Sequence, residues 1–292
     1  PGDAEKLGLD AQTLRSEHPR LIYAQITGYG LADERVGYDA VIQAESGFTF
    51  MNGSPGKAGC PTKMPVALVD LLAAHQLKEA ILLALLQRHQ TGEGAHVHVS
   101  LMAAAVSSLA NQATGYLVAG HVPQRMGSDH PSICPYGTVF YDQDDLPIIL
   151  AVGSDAQFRS LCKILGQDEL ANSERFASNE QRVANRQELL PRLTSAISEV
   201  KRDQLLKELR RSKVPAGAIA DMATVFKTKE AQAMVLRDAK MLGLRQVAWD
   251  GHQCQRLTKL PGFGENTWEI LTQDLGLSTS EVQTLISDGI VS

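Results

Sequence analysis

The sequence predicts an α/β protein. Two observations carry that expectation. A strand candidate at 21–26, a long apolar helix at 71–90 and a second strand candidate at 96–100 follow one another, and the region after Pro123 mixes strand and helix patterns again. At 292 residues the chain can bury one large core or two ordinary ones.

Each element follows from local chemistry. Asp10 to Ser16 reads as a short polar helix stopped by His18-Pro19, because proline pushes the residue before it out of the α region. Leu21 to Ile26 is rich in β-branched and aromatic residues and leaves through Gly28-Tyr29-Gly30, a turn after a strand. No GxGxxG follows a strand, so no dinucleotide fingerprint is present. Tyr38 to Gly47 reads as a short helix closed by Gly47. Gly53, Pro55, Gly56, Gly59 and Pro61 make 51–63 a loop. Leu71, Ala74, Leu77, Ile81, Leu82 and Leu85 recur at helical spacing, and Thr91-Gly92-Glu93-Gly94 ends that helix. His96 to Ser100 alternates as a strand. Leu101 to Gly120 is small-residue-rich and reads as one long connector helix packed against other helices. Further strands are expected at 137–141 and 147–152, a helix at 155–165, two helical segments within 189–211 and a return strand at 214–219. Two short C-terminal helices follow at 267–276 and 280–286. No internal repeat or low-complexity tract is visible.

Composition narrows the function classes. The net charge is −5 and no basic cluster marks a nucleic-acid partner. The most apolar segment, 66–86, is interrupted by Asp70, His75, Gln76, Lys78 and Glu79, which argues against a membrane span. No signal peptide pattern is visible. Cys60, Cys134, Cys162 and Cys254 are scattered with no CxxC spacing, as expected of reduced thiols in a cytoplasmic protein. The chain opens on Pro1-Gly2-Asp3, with no methionine before Met51, and is expected to begin inside a longer protein.

Asp70 is the leading candidate for chemistry. It is the only acidic residue between Glu45 and Glu79, and it ends an apolar run where the long helix is expected to open. A carboxylate at such a strand-to-helix junction is either a helix cap or a reacting group. Both uses favour its ionised form, since a helix start attracts negative charge. Asp39 reads as a cap of the helix after Tyr38. His96 and His98 have metal-ligand spacing on one strand face, but nothing completes a ligand set, so no metal site is expected. Gly127-Ser128-Asp129-His130, followed by Pro135-Tyr136-Gly137, is a polar loop with one histidine.

Together these pieces resemble the family III CoA-transferases of the CaiB/BaiF type. The matching residues are Pro1-Gly2 with Lys6-Leu7-Gly8-Leu9; Pro19 to Tyr23; Gly28-Tyr29-Gly30; Tyr38-Asp39 with Gln43 and Gly47; and Asp70. Downstream they are Arg88 with Thr91 to Gly94; Pro135-Tyr136-Gly137; Arg182 with Asn185-Arg186; Val214-Pro215; and Gly264 to Thr267 before Gly276-Leu277. The resemblance implies a Rossmann-like large domain, incomplete at its N-terminus, plus a smaller α/β domain. It also implies an interlocked homodimer in which the helix at 101–120 is a connector. The expected divisions are 1–122 for the large domain, 123–223 for the small one, and 224–292 for a return linker and the end of the large domain.

The resemblance further implies that Asp70 is the nucleophile, forming an aspartyl anhydride and then an aspartyl-CoA thioester, with Asp39 as a second active-site carboxyl. Tyr38, Gln43, Gly127, His130 and Tyr136 are the implied substrate and CoA contacts. The partners are an acyl-CoA and a small carboxylic acid, with CoA thioester as substrate and no permanently bound cofactor. Three departures stand out. Family members usually continue upstream for roughly another hundred residues, a length prior. Ala74 stands where the family often has glycine, and the 127–137 loop lacks the run of consecutive glycines found in the family's formyl-CoA subgroup. The related α-methylacyl-CoA racemases carry histidine where this chain has Tyr38. A phenol is a poor substitute for that acid/base, so transfer is favoured over racemisation. An isomerase and a catalytically inactive, truncated family member are the alternatives.

Overall fold

The computed structural model describes residues 2–238, 241–249 and 257–291. Pro1 and Cys254 therefore lie outside the described residues. The chain divides into two compact units, Pro1–Ala218 and Ile219–Ser292.

The first unit is a mixed α/β structure. It opens with α1 (Asp3–Lys6) and α2 (Ala11–Glu17), the latter capped by Asp10, which accepts from the Thr13 amide. β1 (Tyr23–Thr27) pairs in parallel with β2 (His96–Ser100), from Tyr23 opposite His96 to Thr27 opposite Ser100. Parallel strands need a long crossover. Here it holds α3 (Asp39–Glu45), α4 (Phe48–Met51) and α5 (Leu68–Thr91). Buried Ile42, Val69, Ala73, Leu101, Ala104 and Ala105 form the core between these helices and the next.

The expected helix from Leu101 to Gly120 is in fact two, α6 (Leu101–Ser107) and α7 (Ala110–Ala119). The Ser107 and Ser108 hydroxyls both donate to the Ala104 carbonyl, at 3.0 and 2.7 Å. Such back-bonding competes with the helical ladder. The next amides tighten to bonds three residues back, and Ala110 takes a left-handed φ of 50°.

A second core lies later in the same unit. β3 (Tyr136–Tyr141), β4 (Pro147–Ala151) and β5 (Ala216–Ala218) form an antiparallel sheet in that order. It carries α8 (Asp155–Ile164), α9 (Asp168–Asn172), a 3₁₀ turn at Glu174–Phe176, α10 (Asn179–Ala184), α11 (Arg186–Ile197) and α12 (Arg202–Arg211). Phe140, Ile148, Leu150, Phe158, Leu161 and Leu193 are among its buried residues. The expected return strand at 214–219 shrinks to three residues. The elements between Asp168 and Ala184 are too short to carry a readable period.

The second unit contains α13 (Met222–Val225), α14 (Lys229–Ala233) and an antiparallel hairpin of β6 (Val235–Asp238) and β7 (Met241–Leu244), which the sequence pattern did not foretell. α15 (Thr267–Glu269) runs into one π turn at Ile270–Asp274. α16 (Thr279–Ser287) starts at a capping box made by Ser278 and Glu281.

Candidate active site

The geometry around Asp70 begins with a close crossing of two backbones. A Cβ on Gly28 would lie 2.6 Å from the Gly37 Cα, and one on Gly37 would lie 2.3 Å from the Gly28 Cα. Only glycine fits at both places. The exit of β1 thus lies directly against the residue before Tyr38-Asp39. Tyr38 stands at the N-cap of α3, where its carbonyl accepts from the Val41 and Ile42 amides, both at 3.0 Å. Its side chain is exposed.

α5 starts at Leu68, so Asp70 is the third residue of the helix and not its cap. The residues just before it are loop, so the strand-to-helix junction expected there is a loop-to-helix junction. The capping role has passed to Asp39 on α3. Its Oδ1 accepts from the Val69 amide at 2.8 Å, satisfying one of the free donors of the α5 start from thirty residues away in sequence. Its Oδ2 accepts from Gln43 Nε2, also at 2.8 Å.

Gln43 is 0% exposed. A buried amide must find partners for its polar atoms. Gln43 Oε1 accepts from the Met64 amide at 2.8 Å, and Nε2 also donates to the Val66 carbonyl at 3.3 Å. Every contact of this side chain therefore goes to the protein. The i, i+4 placement of Asp39 and Gln43 on one helix face was visible in the sequence; their common target was not.

The Asp70 carboxylate accepts no hydrogen bond among the described residues. Although its side chain is exposed, the displacement of water by neighbouring atoms and, second, the negative charge of Asp39 hold its carboxyl above the usual range. This is opposite to the direction expected for a helix start. The Val69 amide, one residue before it, donates to Asp39 instead.

The loop from Gly127 to Gly137 forms a second group. The Gly127 amide donates to the Gly53 carbonyl at 3.0 Å, and Arg125 donates to the Ser54 and Gly56 carbonyls. The His130 and Tyr136 rings meet edge to face at 5.4 Å, and the His130 amide donates to the Tyr136 carbonyl at 2.9 Å. His130 Nδ1 accepts from the Ser132 amide at 3.1 Å. Arg186 braces the loop through the His130 and Ile133 carbonyls, and the fully buried Arg182 holds the Cys134 carbonyl at 2.8 Å. The sequence marked both arginines without revealing these roles. A cavity of about 360 Å³ beside this loop is lined by Met51, Gln112, His121, Met126, Gly127 and Asp129, among others.

The expected site residues thus fall into two clusters. Tyr38, Asp39, Gln43 and Asp70 share one; Gly127, His130 and Tyr136 share the other. No hydrogen bond, ion pair or ring contact among the described residues joins them. His96 and His98 are engaged within the strand pair, with Gln25 at 3.1 Å and Thr27 at 2.9 Å respectively. Among the described residues no helix is long and apolar enough to cross a membrane.

The family model for CoA-transferase family III matches residues 1–267. Succinate–glutarate CoA-transferase from Agrobacterium fabrum is 38% identical over 235 residues, covering 80% of this chain and 58% of that protein. Human succinyl-CoA:glutarate CoA-transferase is 30% identical over 306 residues, covering 100% of this chain and 68% of its own length. The crystal structure of a CaiB/BaiF family protein from Brucella suis aligns with a TM-score of 0.80 at 37% identity, over 93% of this chain and 72% of that one. The chain thus spans 58% of the length of the bacterial transferase.

Proposed function

Because the chain belongs to CoA-transferase family III, we propose that it moves coenzyme A from an acyl-CoA donor to a small carboxylic acid, with Asp70 as the nucleophile. The observation that carries this reading is a lone carboxylate with no hydrogen-bond donor among the described residues, in the first turn of a helix whose start is capped by another aspartate. A carboxylate left unbonded keeps its lone pairs for attack.

The steps balance without any net proton. An Asp70 oxygen attacks the thioester carbonyl, the carbon–sulfur bond breaks, and an aspartyl anhydride and CoA thiolate result. The thiolate attacks the Asp70 carbonyl, releasing the donor's carboxylate and leaving an aspartyl-CoA thioester. The acceptor carboxylate attacks that thioester, forming a second anhydride. The thiolate then attacks the acceptor's carbonyl, which gives the new acyl-CoA and regenerates Asp70. No permanently bound cofactor takes part.

Asp39 lies beside the nucleophile, and Tyr38 and the His130–Tyr136 loop are the substrate-facing residues in this reading. The named activities of the two transferases support short dicarboxylic acids such as succinate and glutarate as the acyl groups. The parallel β1–β2 unit with its helical crossover supports a Rossmann-like large domain at 1–122. The separate core within 134–214 supports a small domain at 123–223.

The reading includes an interlocked homodimer in the cytoplasm. Its support is that an anhydride must be kept from bulk water, yet Asp70 is exposed in the single chain. Apolar residues also stand unpartnered, with Leu83 on α5 66% exposed and Leu117 and Val118 on α7 80% and 81% exposed. The test is to incubate the full-length protein with succinyl-CoA or glutaryl-CoA, quench with hydroxylamine and map peptides by mass. A hydroxamate at Asp70, absent in Asp70→Asn, is expected. No adduct with any acyl-CoA would overturn the reading.

A further inference from the structure

We infer that Asp39 and Gln43 act as a positioning pair, a hydrogen-bonded strut that sets where Asp70 stands, and that neither contacts substrate. The inference deepens the transfer reading and rests on it. Four bonds carry it. Met64 N donates to Gln43 Oε1 and Gln43 Nε2 donates to Asp39 Oδ2, each at 2.8 Å. Val69 N donates to Asp39 Oδ1 at 2.8 Å, and Gln43 Nε2 donates to the Val66 carbonyl at 3.3 Å. Together they fasten α3 to residues 64, 66 and 69. That segment turns from loop into α5 immediately before Asp70, and its own cap residue, Ala67, offers no side-chain bond. The strut therefore supplies the side-chain cap that the chain lacks locally.

Two features set this apart from a substrate-binding role. Gln43 is 0% exposed, and both ends of its amide are taken by protein partners. Both oxygens of Asp39 are likewise occupied by donors that hold backbone or Gln43. A reactant would have to displace one of these bonds to reach the Gln43 amide, and the two donors on Asp39 fix the orientation of its carboxylate.

The donor–acceptor order makes the idea testable. The Met64 amide fixes which end of Gln43 is the acceptor, so Nε2 must face Asp39. Gln43→Glu sets two carboxylates face to face. Asp39→Asn sets two amino groups face to face, if its oxygen stays on the Val69 amide. The double variant Asp39→Asn/Gln43→Glu restores the Met64, Val69 and side-chain bonds with the direction of the central one reversed, and leaves the Val66 carbonyl, the longest of the four contacts at 3.3 Å, without its donor.

The experiment uses the full-length protein and reads the rate of Asp70 adduct formation with succinyl-CoA, at saturation and at half-saturation, with urea unfolding alongside. Each single variant is expected to lose about 10- to 100-fold in the saturated rate, with the half-saturating concentration within about twofold of the original. The double variant is expected to run at least about threefold faster than either single, since recovery by a paired swap isolates their mutual interaction, and to stay below the original rate because the Val66 bond is not restored. Singles that change only the half-saturating concentration, or a folded double no faster than the singles, would overturn the strut and return these residues to substrate contact or proton handling. If a single variant fails to fold, the double decides alone: a folded double within about tenfold of the original rate supports the strut, and a slower or unfolded one sinks it. If the unaltered protein forms no Asp70 adduct, the transfer reading fails, while the unfolding cycle still measures the strut.

Discussion

Replacing Gly137 by alanine tests how the 127–137 loop is held. Gly137 adopts a φ of +78°, and a Cβ there would sit 2.0 Å from the Ser128 carbonyl oxygen. Ordinary contact begins near 3.4 Å, so the two strands of the loop must part by about 1.4 Å. The left-handed backbone costs an alanine about 1–2 kcal/mol. Parting the loop strains or breaks the bond from the His130 amide to the Tyr136 carbonyl, a further loss of about 1 kcal/mol. The expected destabilisation is about 2–4 kcal/mol, read as a lower urea midpoint at unchanged m. Gly166→Ala is the control, because Gly166 has a similar φ of +66° but nothing within 4 Å of an added Cβ. The difference between the two variants isolates the collision. Displacing His130 and Tyr136 by about 1 Å is also expected to slow transfer by about 100-fold in Gly137→Ala. A Gly137→Ala protein as stable as the control, with its transfer rate intact, would refute both the steric argument and the place of this loop in the site.

Asp70→Asn is expected to raise stability at neutral pH. The folded protein holds this carboxyl above its ordinary value of 3.8, so the stability it contributes is full below that pH and is lost as pH rises through the raised folded value. The melting-temperature gap between variant and original should open across that rise and close below it; a gap independent of pH would contradict the assignment. Arg182→Met leaves the Cys134 and Phe176 carbonyls without their donor, while Asp155, 45% exposed, rehydrates. A loss of about 3 kcal/mol in urea unfolding is expected, and a loss below about 1 kcal/mol would mean the carbonyls find water instead. Among Cys60, Cys134 and Cys162, a thiol reagent at mildly alkaline pH should label exposed Cys60 first. Burial pushes the Cys162 thiol up to about 12, so rapid labelling there in the folded protein would contradict the packing of α8.

Much of the scaffold was legible because its signals are local. The apolar spacing along 71–90 marks α5, and the alternation of 96–100 marks β2, since each pattern is set by neighbours within a turn or a pleat. The sequence also singled out Asp70, Asp39 and Gln43 as belonging together, through their order in a familiar pattern. It did not show which backbone amides each side chain would meet. The helix begins before Asp70, because Asp39 reaches the Val69 amide and caps α5 from another helix. The connector at 101–120 breaks, because two serine hydroxyls compete for the Ala104 carbonyl.

Residue type and spacing thus determined most of the elements, the family and the candidate nucleophile. Only the tertiary structure decided which donor each carboxylate oxygen receives. That choice depends on which backbone amides are brought within 3 Å across thirty residues of chain, and no local pattern encodes such a distance. The same assignment of donors leaves Asp70 without a hydrogen bond among the described residues and Asp39 occupied, although the two are chemically identical side chains.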